Sequence, residues 1–78
     1  MSTKTNERKV TVINYAAADQ TVHFNSLIIT TAGDLVFKDL AGTTVTVPGT
    51  VPVGKFECQG SAIVKTGTTI TGLALDII

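Results

Sequence analysis

From Lys9 onward, apolar residues either alternate with polar ones or stand in short runs, and turn residues interrupt them about every ten positions. Alternation with period two sends successive side chains to opposite faces of a strand, and no segment keeps the spacing of an ordinary helix. Lys9-Val10-Thr11-Val12-Ile13-Asn14 reads as a strand with Val10 and Val12 on one face. Tyr15-Ala16-Ala17-Ala18-Asp19-Gln20 breaks the pattern, since three alanines make one helical turn that nothing sustains. Thr21 to Thr30 carries Val22, Phe24 and the run Leu27-Ile28-Ile29, which predicts one strand or two short ones. Thr31-Ala32-Gly33-Asp34 predicts a hairpin turn with Gly33 at positive φ. Leu35-Val36-Phe37-Lys38 is then the return strand, with Leu35 and Phe37 sharing a face.

Asp39-Leu40-Ala41-Gly42 predicts the next turn, and Thr43 to Val47 the next strand, with Val45 and Val47 facing together. Pro48-Gly49 suits the centre of a type II turn. Val51-Pro52-Val53-Gly54 is an edge or an irregular crossing, because Pro52 has no N–H to give a ladder. Lys55-Phe56-Glu57-Cys58 predicts a half-buried strand. Gly60 opens another, with Ala62 and Val64 opposed to Ile63 and Lys65. Thr66-Gly67-Thr68 turns, and Thr69 to Ile78 is the last and longest strand. The expectation is an all-β domain over residues 10–78, a small antiparallel β-barrel or jelly-roll-like sandwich of six to eight short strands. A flexible, polar N-terminal arm over residues 1–9 precedes it.

Composition strengthens this reading: 14 Thr, 9 Val and 7 Ile make 30 of 78 residues β-branched, stiff side chains that suit a pleated surface. The length allows one core, and a monomer of this size buries only roughly 60% of its unfolded surface. A single cysteine, Cys58, forms no bridge within the chain, so stability comes from a reducing-compartment fold or from partner subunits. The N-terminus has no apolar stretch behind its charges, and the charge-free run Leu40–Gly54 is broken by two Pro and three Gly. These features predict a soluble protein made in the cytoplasm, without a secretory signal or a membrane-spanning helix. Six basic and six acidic residues cancel, which argues against a mainly electrostatic nucleic-acid binder.

Catalytic candidates are few. His23, the one histidine, alternates away from Val22 and Phe24 and reads as a surface or interface residue. With Cys58 and scattered aspartates it offers no zinc-ligand spacing. Cys58 alternates with Phe56 and reads as a small buried hydrophobe. Asp34 and Asp39 lie beside Gly-containing turns, where the side chain bonds its own backbone. No GxGxxG, P-loop or GxSxG occurs. The expectation is a non-enzyme with no cofactor and no metal. An oligonucleotide-binding barrel needs stacking aromatics and a basic groove. Of Tyr15, Phe24, Phe37 and Phe56, the three Phe fall at core positions, and only Lys38, Lys55 and Lys65 are basic beyond residue 9. Tyr15 is the one aromatic available to a glycan site.

The chain closes on Leu73-Ala74-Leu75-Asp76-Ile77-Ile78. Leaving Ile77 and Ile78 in water forgoes roughly 1.5–3 kcal/mol each. Leu73, Leu75, Ile77 and Ile78 therefore belong either to the domain's own core or to a subunit interface. Lys4, Arg8 and Lys9 in the arm, and Pro48, Gly49, Pro52 and Gly54 in the central loop, are the candidates for contacts with a neighbouring protein.

Four segments carry a family resemblance in order: Ala32-Gly33-Asp34 after a strand; Gly42-Thr43-Thr44-Val45-Thr46-Val47; Val51-Pro52-Val53-Gly54; and Thr66-Gly67-Thr68-Thr69-Ile70-Thr71-Gly72 leading to an apolar end. Over roughly residues 25–78 the chain resembles small proteins of tailed bacteriophages and gene transfer agents, the head-spike base and capsid-decorating (cement) proteins. Lys55-Phe56-Glu57 stands where the family pattern has a Pro. The resemblance implies a virion structural protein on the capsid surface that stabilises the shell. Its implied partners are copies of itself as a homotrimer, the major capsid protein and a spike or fibre protein, with no nucleic acid and no membrane. Alternatives left open are a tail or baseplate component, and a small β-barrel module for single-stranded nucleic acid or glycan.

Overall fold

A computed structural model describes residues 7–77 of the chain. It contains eight strands: β1 (Glu7–Val12), β2 (Gln20–Phe24), β3 (Ser26–Thr31), β4 (Val36–Lys38), β5 (Thr44–Thr46), β6 (Gly54–Phe56), β7 (Gly60–Ile63) and β8 (Thr71–Ile77). They form two four-stranded antiparallel sheets, ordered β1-β8-β3-β6 and β2-β7-β4-β5. The pairs β4–β5, β3–β6, β2–β7 and β1–β8 are nested one inside the next along the chain. That is the connectivity of a jelly roll, a long antiparallel ribbon folded over on itself into two layers. Residues 7–9, placed with the arm on sequence grounds, are in β1 and pair with β8; residues 1–6 and the arm candidate Lys4 lie outside the described residues.

The inner faces follow from the alternation. The first sheet turns Leu27, Ile29 and Ala74 inward, with Ile13 just beyond β1, and the second turns Val22, Phe24, Phe37 and Ile63 inward. Phe24 and Phe37 meet edge to face, with centroids 5.9 Å apart and planes at 64°, the geometry favoured by ring quadrupoles. Leu35, Val51 and Ile70 come from the connections and fill the ends of the core. β2 and β3 are separated by Asn25 alone yet belong to different sheets, so this segment is one strand that bends across the corner of the sandwich. Backbone continuity is kept there by the Asn25 N–H, which donates to the Leu75 carbonyl at 2.7 Å.

One expected turn is replaced by a different connection. Thr31–Asp34 does not fold β3 back onto β4, because those strands lie in opposite sheets. Gly33 is not at positive φ; it forms an isolated antiparallel bridge with Val51, with N–H···O bonds of 3.2 and 2.8 Å. The Asp39–Gly42 turn forms as expected and closes the β4–β5 hairpin. The Asp39 carboxylate accepts the Ala41 and Thr43 N–H groups, both at 2.9 Å. Gly49 has φ 79°, the value a type II turn requires after Pro48.

β8 can sit between β1 and β3 only because Gly72 carries no side chain. A Cβ there would collide with the Ile28 carbonyl on β3. Gly72→Ala forces the central strand of the first sheet away from its partner and is expected to cost about 3 kcal/mol, the upper range for overpacking. Urea denaturation monitored by circular dichroism reads this as a large fall in midpoint with an unchanged m-value.

Candidate functional site

Two surfaces differ from an ordinary solvated sheet. The first is the outer face of the β1-β8-β3 sheet. Ala74 and Leu27 point into the core, so their neighbours on each strand point out. Register pairs Val10 with Leu75, Val12 with Leu73, and Ile28 with Leu73, so these residues form one apolar face. Val10 and Val12 on the edge strand are 55% and 65% exposed, Leu73 and Ile28 are half-buried, and Leu75 is buried. Leu73 and Leu75, candidates for core or interface, therefore stand outside the core cluster. The side chain of Ile77, and Ile78, lie outside the described residues.

The second surface is an open groove of about 680 Å³ on the outer face of the β4–β5 hairpin. Its floor is Val36 and Val64; Thr44 and Thr46 line it from β5. Val47-Pro48-Gly49, Thr66, Gly67 and Asp34 complete the lining. The floor is held rigidly. The buried Thr68 hydroxyl accepts the Val36 N–H at 3.0 Å and donates to the Val36 carbonyl at 3.1 Å. The backbone of Asp34 is likewise fixed, its N–H donating to Thr69 Oγ1 at 2.8 Å and its carbonyl accepting the Thr69 and Ile70 N–H groups. Its carboxylate does not cap its own turn as the sequence suggested, since that turn does not form. Among the described residues it is the one charged group in the lining, and Lys38 stands on the same face of the hairpin opposite Thr44.

The loop candidates divide around Val51. That residue is 1% exposed and pinned to Gly33, so Pro48-Gly49 projects on one side and Pro52-Val53-Gly54 on the other. Val53 is 65% exposed. Lys9 lies in β1 and Gly54 in β6, at opposite edges of the same sheet, so the arm residues and the loop do not converge on one site. The Arg8 backbone is in β1, and its side chain lies outside the described residues.

A polar cluster marks the β2–β3 corner. His23 is exposed, as its alternation implies, with Nδ1 3.9 Å from Asp76 Oδ1. Asn25 Nδ2 donates to the same carboxylate oxygen at 3.3 Å, and Gln59 Nε2 donates to Asn25 Oδ1 at 3.1 Å. Ser26, His23 and Asp76 supply the residue types of a hydrolytic triad, but not its geometry. Ser26 is fully buried, its hydroxyl has no hydrogen-bond partner among the described residues, and the His23–Asp76 separation exceeds a hydrogen bond. Among the described residues no group of three or more His, Cys, Asp or Glu is placed to hold a metal.

Tyr15 is a structural residue. It packs half-buried against the core, and its hydroxyl donates to the Ile70 carbonyl at 2.7 Å. The aromatic that a glycan site was expected to use is thus committed to the fold. The groove threonines and the buried Asp76 escape the sequence reading for different reasons. Thr44, Thr46 and Thr66 look like any strand and turn threonines until β4–β5 and the Thr66–Gly67 turn come together. Asp76 sits inside an apolar terminal word, and an acid there was itself the available signal. No family model, no curated protein and no solved structure matches the chain.

Cys58 is half-buried against the core, and burial, followed by the neighbouring Glu57 charge, pushes its thiol up to about 12. A thiol raised in the folded state favours folding fully below its unfolded pKa, and loses that contribution as pH rises toward the folded value. The native protein is therefore expected to resist a thiol reagent such as DTNB at pH 8, to react within seconds once unfolded in urea, and to lose stability progressively above about pH 9.

Proposed function

We propose that the chain is a structural protein of a tailed-phage virion, a capsid decoration or head-spike base subunit that binds the outer shell as an oligomer and stabilises it. The observation that carries this reading is the apolar outer face of β1, β8 and β3. A valine pair more than half exposed on an edge strand, continuous with Leu73 and Ile28, is a surface suited to protein contact. The ordered resemblance over residues 25–78 supplies the virion context. Jelly rolls recur among capsid proteins, though the fold alone does not assign a role.

The physical logic of decoration fits a domain of this size. A protein that binds the assembled shell and not the dissociated subunits shifts the equilibrium toward the shell by mass action. No turnover is needed, and covering the apolar face with a copy of the chain or with the major capsid protein removes the exposed edge at the same time. Partners on this reading are further copies of the chain, the major capsid protein and a spike or fibre protein.

Mass spectrometry of gradient-purified particles from the phage that encodes the chain is expected to find it at a fixed ratio to the major capsid protein. Its absence from particles overturns the proposal. In solution, light scattering is expected to report an oligomer at micromolar concentration. Val10→Glu with Val12→Glu is expected to yield a folded monomer, because substitutions at exposed positions shift stability by only about 0.5 kcal/mol. An oligomer unaffected by both substitutions places the interface elsewhere.

A further inference from the structure

We propose that the groove over the β4–β5 hairpin binds a neutral, polyhydroxylated ligand, a segment of a glycan chain, independently of how the protein attaches to a particle. The argument starts from what lines it. The outer face of the hairpin carries one long charged side chain, Lys38, opposite Thr44. Beside it the short hydroxyl side chains of Thr44, Thr46 and Thr66 lie over a floor of Val36, with Pro48 at the rim and the Asp34 carboxylate in the lining. None of the three hydroxyls, nor the carboxylate, bonds to another described residue, so the groove offers three donor–acceptor groups and one strong acceptor.

Ligand class follows from charge and shape. The single charge in the lining is negative, and Lys38 lies on the same face opposite Thr44, so the surface as a whole is balanced and suits a neutral guest. One carboxylate with no further His, Cys, Asp or Glu group beside it does not make a metal site. A purely apolar guest would strip water from three hydroxyls and a carboxylate without replacing those hydrogen bonds. A sugar ring satisfies both halves of the surface. Its hydroxyls donate to Asp34 and exchange hydrogen bonds with the threonines, while its C–H face lies on Val36 and Pro48. The groove is open to solvent, so a ligand longer than one sugar ring can lie across it. Its volume falls within the range of small-ligand sites, roughly 300–1,000 Å³. The floor is preorganised by the Thr68 clamp on Val36 and by the fixed backbone of Asp34. Without an aromatic platform a single site binds weakly, and repetition on an oligomer strengthens the attachment.

The test is an amide NMR titration of the isotopically labelled protein with four probes: maltohexaose, cellohexaose, chitohexaose and, as the acidic comparison, a hyaluronan hexasaccharide. At least one neutral probe is expected to shift the amides of Val36, Thr46, Gly49 and Gly67, with the hyaluronan probe weaker. Asp34→Asn is expected to weaken that binding about tenfold, the worth of one hydrogen bond to a charged group. Thr44→Val with Thr46→Val keeps β-branched shape and is expected to weaken it by a similar factor. The dispersion of the same spectra shows that each variant is folded. The proposal is overturned if no neutral probe shifts these amides, if the acidic probe binds more tightly, if the variants bind as well as the parent, or if the groove amides move with protein concentration alone, which would mark a contact between copies of the chain.

Discussion

The first sheet is organised by the backbone hydrogen bonds of β8, which pair on one side with β1 and on the other with β3. These bonds tie the last strand of the chain to its first and to the strand that turns the corner of the sandwich. Everything on the outer face depends on this register, since a slip of one residue would exchange Leu73 and Leu75 with Gly72 and Ala74 and invert the sheet. Gly72 fixes it sterically from the β3 side, because no other residue tolerates the Ile28 carbonyl at that distance. The bend at Asn25 is anchored to the same strand, through its N–H bond to the Leu75 carbonyl.

With that strand in place, the two layers define two unlike outer surfaces. The β1-β8-β3 side offers aliphatic side chains and few polar groups, a surface that loses little on leaving water. The β4–β5 side offers hydroxyls, a carboxylate, the Lys38 ammonium and a proline rim, and keeps its hydration until something replaces it. A small domain presenting both can hold one neighbour through the first and remain open to a different class of molecule through the second. The polar corner of His23, Asn25, Gln59 and Asp76 lies where the two sheets join, and its hydrogen bonds serve the corner itself.

Much of the fold was legible because period-two patterns and turn residues are local signals. The alternation of Val22, His23 and Phe24 orients His23 outward, Pro48-Gly49 specifies its turn, and the β-prone run at the end locates the last strand, although β8 begins at Thr71, two residues later than the run suggests. What local signals do not carry is which strand a turn leads to. Thr31–Asp34 has the composition of a hairpin, yet the chain there crosses between sheets, and the choice is made by Val51 reaching back to Gly33. The same limit hid the binding surfaces. Val10 and Val12 were seen to share a face, but only pairing with Leu73 and Leu75 shows that this face is the outer one. Tyr15 looked available because its partner, the Ile70 carbonyl, comes from the far end of the sequence.

The nesting of the strand pairs also bears on how such a chain reaches its fold. Pairings between distant segments ordinarily slow folding, because loop closure costs entropy before any contact repays it. Here the β4–β5 hairpin closes over a short turn, and once it exists the β3 and β6 strands are separated by little more than their two connectors. Each later pair inherits the proximity that the previous one created, out to β2–β7 and finally β1–β8. A ribbon that zips outward from one hairpin would meet a series of small closures in place of one large one, and on that route the strand paired on both sides in the first sheet would be among the last to be placed.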